Sequence, residues 1–335
     1  MAPSADISQK EDNGLSAPKP APGLFTIESI PDKGKGVIAA QDITPGTLLI
    51  SEPPLLTTAV ITSIPTTEAD LARALKASSK GIQRAFLSLH NNYVGQGTPL
   101  TNIIRSNGYP LGASSDVGGV FELTSRINHS CQPNAYHGWN PLLEEHTVYA
   151  IRQISAGEEI TLAYHYGGPS EYRKEILKER FGFDCTCSIC TLPPSEQKAS
   201  DDRHVLAQTL DAQIGDAKTV RFNPTKVLQH CKALMRIYEE EDFKDDRLAR
   251  LCYDVFQVCN MHSDRARAAY WAKKYCDAKK RTGGKDSVAF LEMKPFVKKP
   301  ERHDCFGVTS DWKSDLKEIP KERSGEVWEK WLWRE

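Results

Sequence analysis

The sequence predicts an α+β protein: a β-rich N-terminal half, a cysteine cluster at its end and a helical C-terminal domain. Three observations predict it. Residues 25–56 and 134–164 read as short apolar segments separated by turns rich in Pro, Gly and Asp. Residues 201–281 carry apolar stripes at helical steps. Between these regions stands Cys185-Thr186-Cys187-Ser188-Ile189-Cys190, a local CxCxxC.

The elements follow in order. Residues 1–23 are rich in Pro, Ala, Ser and charge, hold few large apolar side chains, and read as a disordered tail. Phe25, Ile27 and Ile30 precede the turn Pro31-Asp32-Lys33-Gly34-Lys35-Gly36. Val37 to Ala40 then follow, with Pro45-Gly46 as the turn into Thr47 to Ile50. Over 67–90, Leu71, Leu75, Ile82, Phe86 and Leu89 recur at helical spacing, with Gly81 as the expected break. Residues 95–119 are Gly-rich and read as loop with short ordered pieces, and 120–127 as one or two helical turns. Tyr149 to Ile151 and Ile160 to Leu162 read as strands around the turn Ala156-Gly157, and 170–181 as a helix. Val227, Leu228, Cys231, Leu234, Met235 and Tyr238 form one stripe, and Leu248, Leu251, Cys252, Val255, Phe256 and Cys259 a second. Ala269, Ala272 and Cys276 lie on a third helix ending near Gly283-Gly284. The Trp328, Trp331, Leu332, Trp333 stretch reads either as a docking helix or as an exposed fraying end.

Charge and composition narrow the function classes. The 335 residues hold 43 Lys+Arg and 44 Asp+Glu, a net charge of -1, which disfavours a nucleic-acid binder working by bulk electrostatics. No apolar run approaches the roughly 18 residues of a membrane span, and no basic-then-apolar secretory start is present. The cysteine count is nine, which points to reduced thiols or metal ligands and to the nucleus or cytoplasm.

Three thiols spaced as closely as Cys185, Cys187 and Cys190 point in different directions on any regular element, so they do not share one core face. Folding around a soft cation satisfies all three, and tetrahedral zinc asks for a fourth ligand. The next cysteine upstream is Cys131. Four thiolates would leave no open coordination position, so such a zinc is structural. Cys231, Cys252, Cys259 and Cys276 lie on the helical stripes and read as core thiols.

Residues 126–134 read Arg-Ile-Asn-His-Ser-Cys-Gln-Pro-Asn and residues 157–164 read Gly-Glu-Glu-Ile-Thr-Leu-Ala-Tyr. With Gly34-Lys35-Gly36 upstream and CxCxxC downstream, these motifs resemble, in order, the SET-domain protein-lysine methyltransferases. The likeness is to the SMYD-like branch, as in fungal SET proteins lacking the MYND finger, since residues 57–100 contain no cysteine. The resemblance implies a β-rich SET domain over 24–170 with a mostly helical and loop insert at 57–118. A post-SET zinc segment at 171–192 and a helical domain at 200–335 complete the division. It implies a threaded β-clip core in which the Asn128 and Tyr164 segments lie side by side, with the C-terminal helices walling one side of a substrate cleft.

The implied activity is methyl transfer from S-adenosylmethionine to a protein lysine. Such a displacement needs an aligned, neutral amine, so positioning and desolvation carry the catalysis. By resemblance Tyr164 is the catalytic tyrosine, and Phe183 lines both cofactor and lysine channel. Gly34, Gly36, Asn128 and His129 match cofactor-contacting positions, with Asn107 a weaker one. Lys33 and Lys35 either meet the cofactor's carboxylate or remain solvated turn lysines. Phe181 stands where some SMYD relatives carry tyrosine, and the lost hydroxyl leads us to expect more than one methyl per lysine. Cys131, Cys185, Cys187 and Cys190 form the implied zinc set. Glu158 and Glu159 are adjacent on a strand, so they face opposite ways and form no acid/base dyad.

The expected partner is a lysine-containing protein, either a histone or a cytosolic or ribosomal protein. No direct nucleic-acid or membrane contact is expected, and the chain is expected to be a monomer. Two rival readings remain. One is a catalytically silent SET-fold scaffold, which would have no need of Asn128, His129 and Tyr164; the other is a zinc-stapled nucleic-acid module, which the charge balance disfavours.

Overall fold

The structure is a computed structural model and describes residues 19–335; the greater part of the expected tail, residues 1–18, lies outside the described residues. Two hairpin strands open the fold, β1 (Phe25–Ile30) and β2 (Gly34–Ala39), followed by β3 (Leu48–Glu52) and β4 (Leu56–Thr57). The insert contributes α1 (Thr67–Ala77), α2 (Lys80–Leu87), α3 (Pro99–Asn107), β5 (Gly108–Pro110) and β6 (Gly118–Val120). Strands β7 (Asn128–His129), β8 (Ala135–Asn140), β9 (Glu145–Ala150) and β10 (Glu159–Leu162) close the β-rich half.

Three small sheets result, with strand orders β1-β2-β10-β7, β3-β9-β8 and β4-β6-β5. All pairs are antiparallel but one: β10 runs parallel to β7, with Thr161 opposite Asn128 and Leu162 opposite His129. That pair lays the two motif segments side by side, as expected. Val37, Ile43, Leu49, Ile50, Val148, Ile154, Ile160 and Leu162 fill the core between the first two sheets.

Several local expectations need correction. The Gly-rich stretch contains a true helix, α3, where Ile103 is buried and Leu100 and Ile104 pack on Leu71, Leu75 and Phe86. The signal was the i, i+3, i+4 spacing of those three residues, masked by the flanking glycines. Gly81 lies inside α2; the break falls at Ser78 and Ser79, where the Ser79 side chain accepts from the Ile82 N–H as an N-cap. Residues 120–127 hold one 3₁₀ turn, Thr124–Arg126.

Helix α4 (Ser170–Phe181) matches its expected span and ends at Gly182, whose φ of 78° stops the helix in the left-handed region. The helical part starts earlier than 201, with α5 (Pro194–Ile214), then α6 (Ala217–Phe222), α7 (Pro224–Glu240), α8 (Asp246–Met261), α9 (Arg265–Gly283), α10 (Val288–Met293) and α11 (Gly325–Trp333). Cys231, Cys252, Cys259 and Cys276 are buried among its apolar side chains. Trp328, Leu332 and Trp333 are buried too, so the C-terminal tryptophans dock on this core rather than fray. Helix α9 also packs on β8 and β9, joining the two halves. None of the helices in the described residues is long and apolar enough to cross a membrane.

Candidate cofactor and metal site

Cys131 follows β7, and the other three clustered cysteines follow α4. The four Sγ atoms lie within 4.8 Å of one another. Cys131 Sγ is 3.6 Å from Cys190 Sγ and 3.9 Å from Cys185 Sγ. A tetrahedron with Zn–S bonds of about 2.3 Å has S···S edges of roughly 3.8 Å, so this donor set fits zinc. Leu177 of α4 and Ile189 pack around the thiols and shield them.

His129 ties this cluster to the second motif. Its Nδ1 accepts a hydrogen bond from the Tyr164 backbone N–H at 2.9 Å, and its Nε2 is 3.3 Å from Cys131 Sγ. A backbone N–H can only donate, so Nδ1 is unprotonated. Burial pushes the ring down to about 4, and the neutral ring therefore carries its proton on Nε2, directed at the sulfur. The side chain is wholly engaged inside the protein. Neither ring nitrogen is left over for a ligand.

Tyr164 follows β10. Its hydroxyl donates to the Ile127 carbonyl at 2.7 Å, and burial raises its pKa, keeping it a phenol. Its ring centre lies 4.9 Å from that of Phe181, 5.3 Å from His129 and 6.4 Å from Phe183, the last edge-on. Phe183 in turn lies 5.9 Å from His129. The structure thus gathers Tyr164, Phe181, Phe183 and His129 into one aromatic wall against the cysteine cluster.

The opposite side is polar. Asn128 Nδ2 donates to Glu159 Oε1 at 2.8 Å and to the Lys35 carbonyl at 3.2 Å. Lys33 Nζ donates to Glu159 Oε2 at 2.8 Å. Gly34 takes φ 73° at the hairpin turn. Gly36 faces this group closely: a Cβ there would stand 2.8 Å from Asn128 Nδ2 and 3.0 Å from Glu159 Oε1. Glu158 is occupied elsewhere, by Asn134, Arg152 and the Ser155 N–H, so the two glutamates indeed form no dyad.

Asn107 is not free to face a ligand through its amide nitrogen. Nδ2 donates to the His90 carbonyl at 2.7 Å and the Ile103 carbonyl at 2.8 Å, fastening the end of α3. Sequence reasoning passed over Tyr109 on β5, which lies near enough to Tyr164 and Tyr166 for charge on either to raise it further, after burial. Only its position two residues beyond Asn107 signalled it. Tyr166 faces Tyr136, with ring centres 6.4 Å apart, and Arg247 of α8 lies over the Tyr166 ring at 5.6 Å.

Comparison with known proteins agrees with this geometry. The family described as SET domain matches residues 34–165. Histone-lysine N-methyltransferase set5 of Schizosaccharomyces pombe is 34% identical over 284 residues, covering 84% of this chain and 85% of that protein. Histone-lysine N-methyltransferase SMYD1 of Homo sapiens is 34% identical over 116 residues, 30% of this chain and 23% of the human protein. Protein-lysine N-trimethyltransferase SMYD5 of Gallus gallus is 33% identical over 110 residues, 30% of this chain and 26% of the chicken protein.

Proposed function

Since the chain belongs to the SET-domain family of S-adenosylmethionine-dependent protein-lysine methyltransferases, we propose that its own site is built from Tyr164, Asn128, Phe181 and Phe183. The observation that carries this reading is the Tyr164 environment: a partly buried phenol anchored on Ile127, walled by Phe181, Phe183 and His129.

S-adenosylmethionine, when bound, supplies a methyl group on a sulfonium, already a good leaving group. The residues do the rest by placement. The aromatic wall disfavours an ammonium, which lowers the pKa of an entering lysine and frees its lone pair. The Tyr164 oxygen keeps a lone pair while donating to Ile127, so it can orient the amine. Gly34 and Gly36 keep the hairpin turn open beside Asn128, where the polar end of the cofactor would be held. Lys33 and Lys35 flank that turn; Phe183 serves the cofactor side and Phe181 the lysine side. Asn107 is assigned the fastening of α3 instead of a cofactor contact. Phe181 leaves the wall without a second hydroxyl, and we expect more than one methyl per lysine.

The four cysteines are proposed to hold one structural zinc, and residues 24–170, 171–192 and the helices beyond to act as catalytic domain, zinc segment and cleft wall. Arg247 over Tyr166 supports the last role. A protein lysine is the substrate, with histones favoured because relatives are histone-lysine methyltransferases by name. The protein would work as a monomer in the nucleus or cytoplasm, without direct nucleic-acid contact.

Titration calorimetry of S-adenosylmethionine into zinc-loaded protein tests the site, with Asn128→Ala beside it. Micromolar binding lost in the variant is expected. Absence of binding by folded, zinc-replete protein would favour a silent scaffold. On a histone or ribosomal substrate, Tyr164→Phe should lower kcat by roughly 100-fold with cofactor affinity retained.

A further inference from the structure

The hydrogen bonds around Asn128 settle which way its amide can act. Both N–H groups of Nδ2 are committed, one to Glu159 Oε1 and one to the Lys35 carbonyl. Its Oδ1 has no partner among the described residues and is not among the buried atoms left unpaired. Asn128 therefore presents an acceptor only, and it can receive a cation or a donor but cannot pair with a carboxylate. Behind it sits Glu159, whose two oxygens are divided between Asn128 and Lys33, both at 2.8 Å. The side chain of Glu159 is 19% exposed and that of Lys33 is 41% exposed, so the carboxylate is the sheltered member and the ammonium the accessible one. Gly36 leaves the space that this arrangement fills.

We propose that Glu159 is a positioning residue that locks Asn128 with its Oδ1 outward, so that the site selects the α-ammonium of the cofactor. This rests on the functional reading above. A charged acceptor fixes an amide far better than a neutral one, and a negative charge behind Oδ1 strengthens its attraction for a cation. Lys33 completes the device: paired with Glu159, it holds the carboxylate in place and offers its exposed ammonium to the carboxylate of the same amino acid.

The test separates the amino-acid end of the ligand from its nucleoside. S-adenosylhomocysteine and 5′-methylthioadenosine, which lacks the amino acid, are titrated into zinc-loaded protein and into Glu159→Ala, Asn128→Asp and Asn128→Asp/Glu159→Gln. Zinc content and thermal unfolding establish that each variant is folded. Glu159→Ala should weaken S-adenosylhomocysteine by about tenfold or more while 5′-methylthioadenosine changes less than about twofold. Asn128→Asp sets two carboxylates together and should lose binding; adding Glu159→Gln restores the pair with residue 159 in the reverse sense, while the Lys35 carbonyl loses its donor, and should recover part of it. Equal loss of both ligands in folded Glu159→Ala, or no recovery in the double variant, would overturn the proposal. If unaltered protein binds neither ligand, the functional reading itself fails.

Discussion

His137 Nδ1 and His146 Nε2 meet at 3.0 Å beneath Tyr109, whose ring centre lies 4.8 and 5.1 Å from theirs. Burial pushes His137 down to about 4; burial, then the neighbouring His137, pushes His146 down to about 3. Both rings are neutral in the fold, so one donates to the other. In the unfolded chain each would titrate near the ordinary value of about 6.5. Above that pH neither state takes a proton and the stability is fully present. Below it the unfolded chain binds protons that the fold refuses, and stability falls until pH drops through about 4 to 3. The thermal midpoint should decline across that window, and His146→Gln should show a shallower decline. An unchanged slope in the variant would refute the assignment. Resemblance of the two motifs marked Asn128, His129 and Tyr164 as site candidates. It did not reveal that His129 spends both ring nitrogens internally, because the partners, Tyr164 N and Cys131 Sγ, depend on strand pairing.

An element can owe its end to a distant residue rather than to a local signal. The Glu68 carboxylate on α1 accepts from the Leu100 N–H, the Thr101 N–H and the Thr101 hydroxyl, capping α3 from 32 residues away. Nothing local to 95–107 announces that cap, which is one reason the helix was hidden in a Gly-rich stretch. Glu68→Ala should cost about 1–2 kcal/mol in urea unfolding. The segment after α4 depends on its metal in the same way. It is mostly irregular, with one 3₁₀ turn at Ser188–Cys190, so four thiolates around zinc would supply its folding energy. Cys187→Ser should leave substoichiometric zinc on elemental analysis and a lower thermal midpoint; full zinc occupancy in that variant would remove Cys187 from the ligand set.

At the scale of the molecule, two cores meet along α9. Asn140 Nδ2 donates to Asp286 Oδ2 at 3.2 Å just beyond α9, and Gln132 Nε2 in the motif loop donates to the Glu241 carbonyl at the end of α7 at 3.1 Å. The helical core also carries α11: Trp333 packs tilted against Trp271 with ring centres 5.1 Å apart, and Trp328 edges onto Tyr270 at 4.9 Å. Trp333→Ala should cost about 3–5 kcal/mol in unfolding of the helical part. Affinity for S-adenosylmethionine should hold, because α11 lies on the helical core and not on the Asn128–Tyr164 site. A large affinity change would instead place the C-terminal helix in control of the site. By itself the sequence determined the β-rich and helical halves, the clustered thiols and the residues of the two motifs, because periodicity and short spacings are local properties of the chain. Only the tertiary structure decided which polar atoms remain available. Asn107 and His129 are spent on neighbours, Asn128 keeps one acceptor, and Glu159 and Lys33 face each other across 126 positions. Hydrogen-bond partners are chosen by proximity in space, and proximity between such distant positions is set by sheet register and by the packing of the two cores.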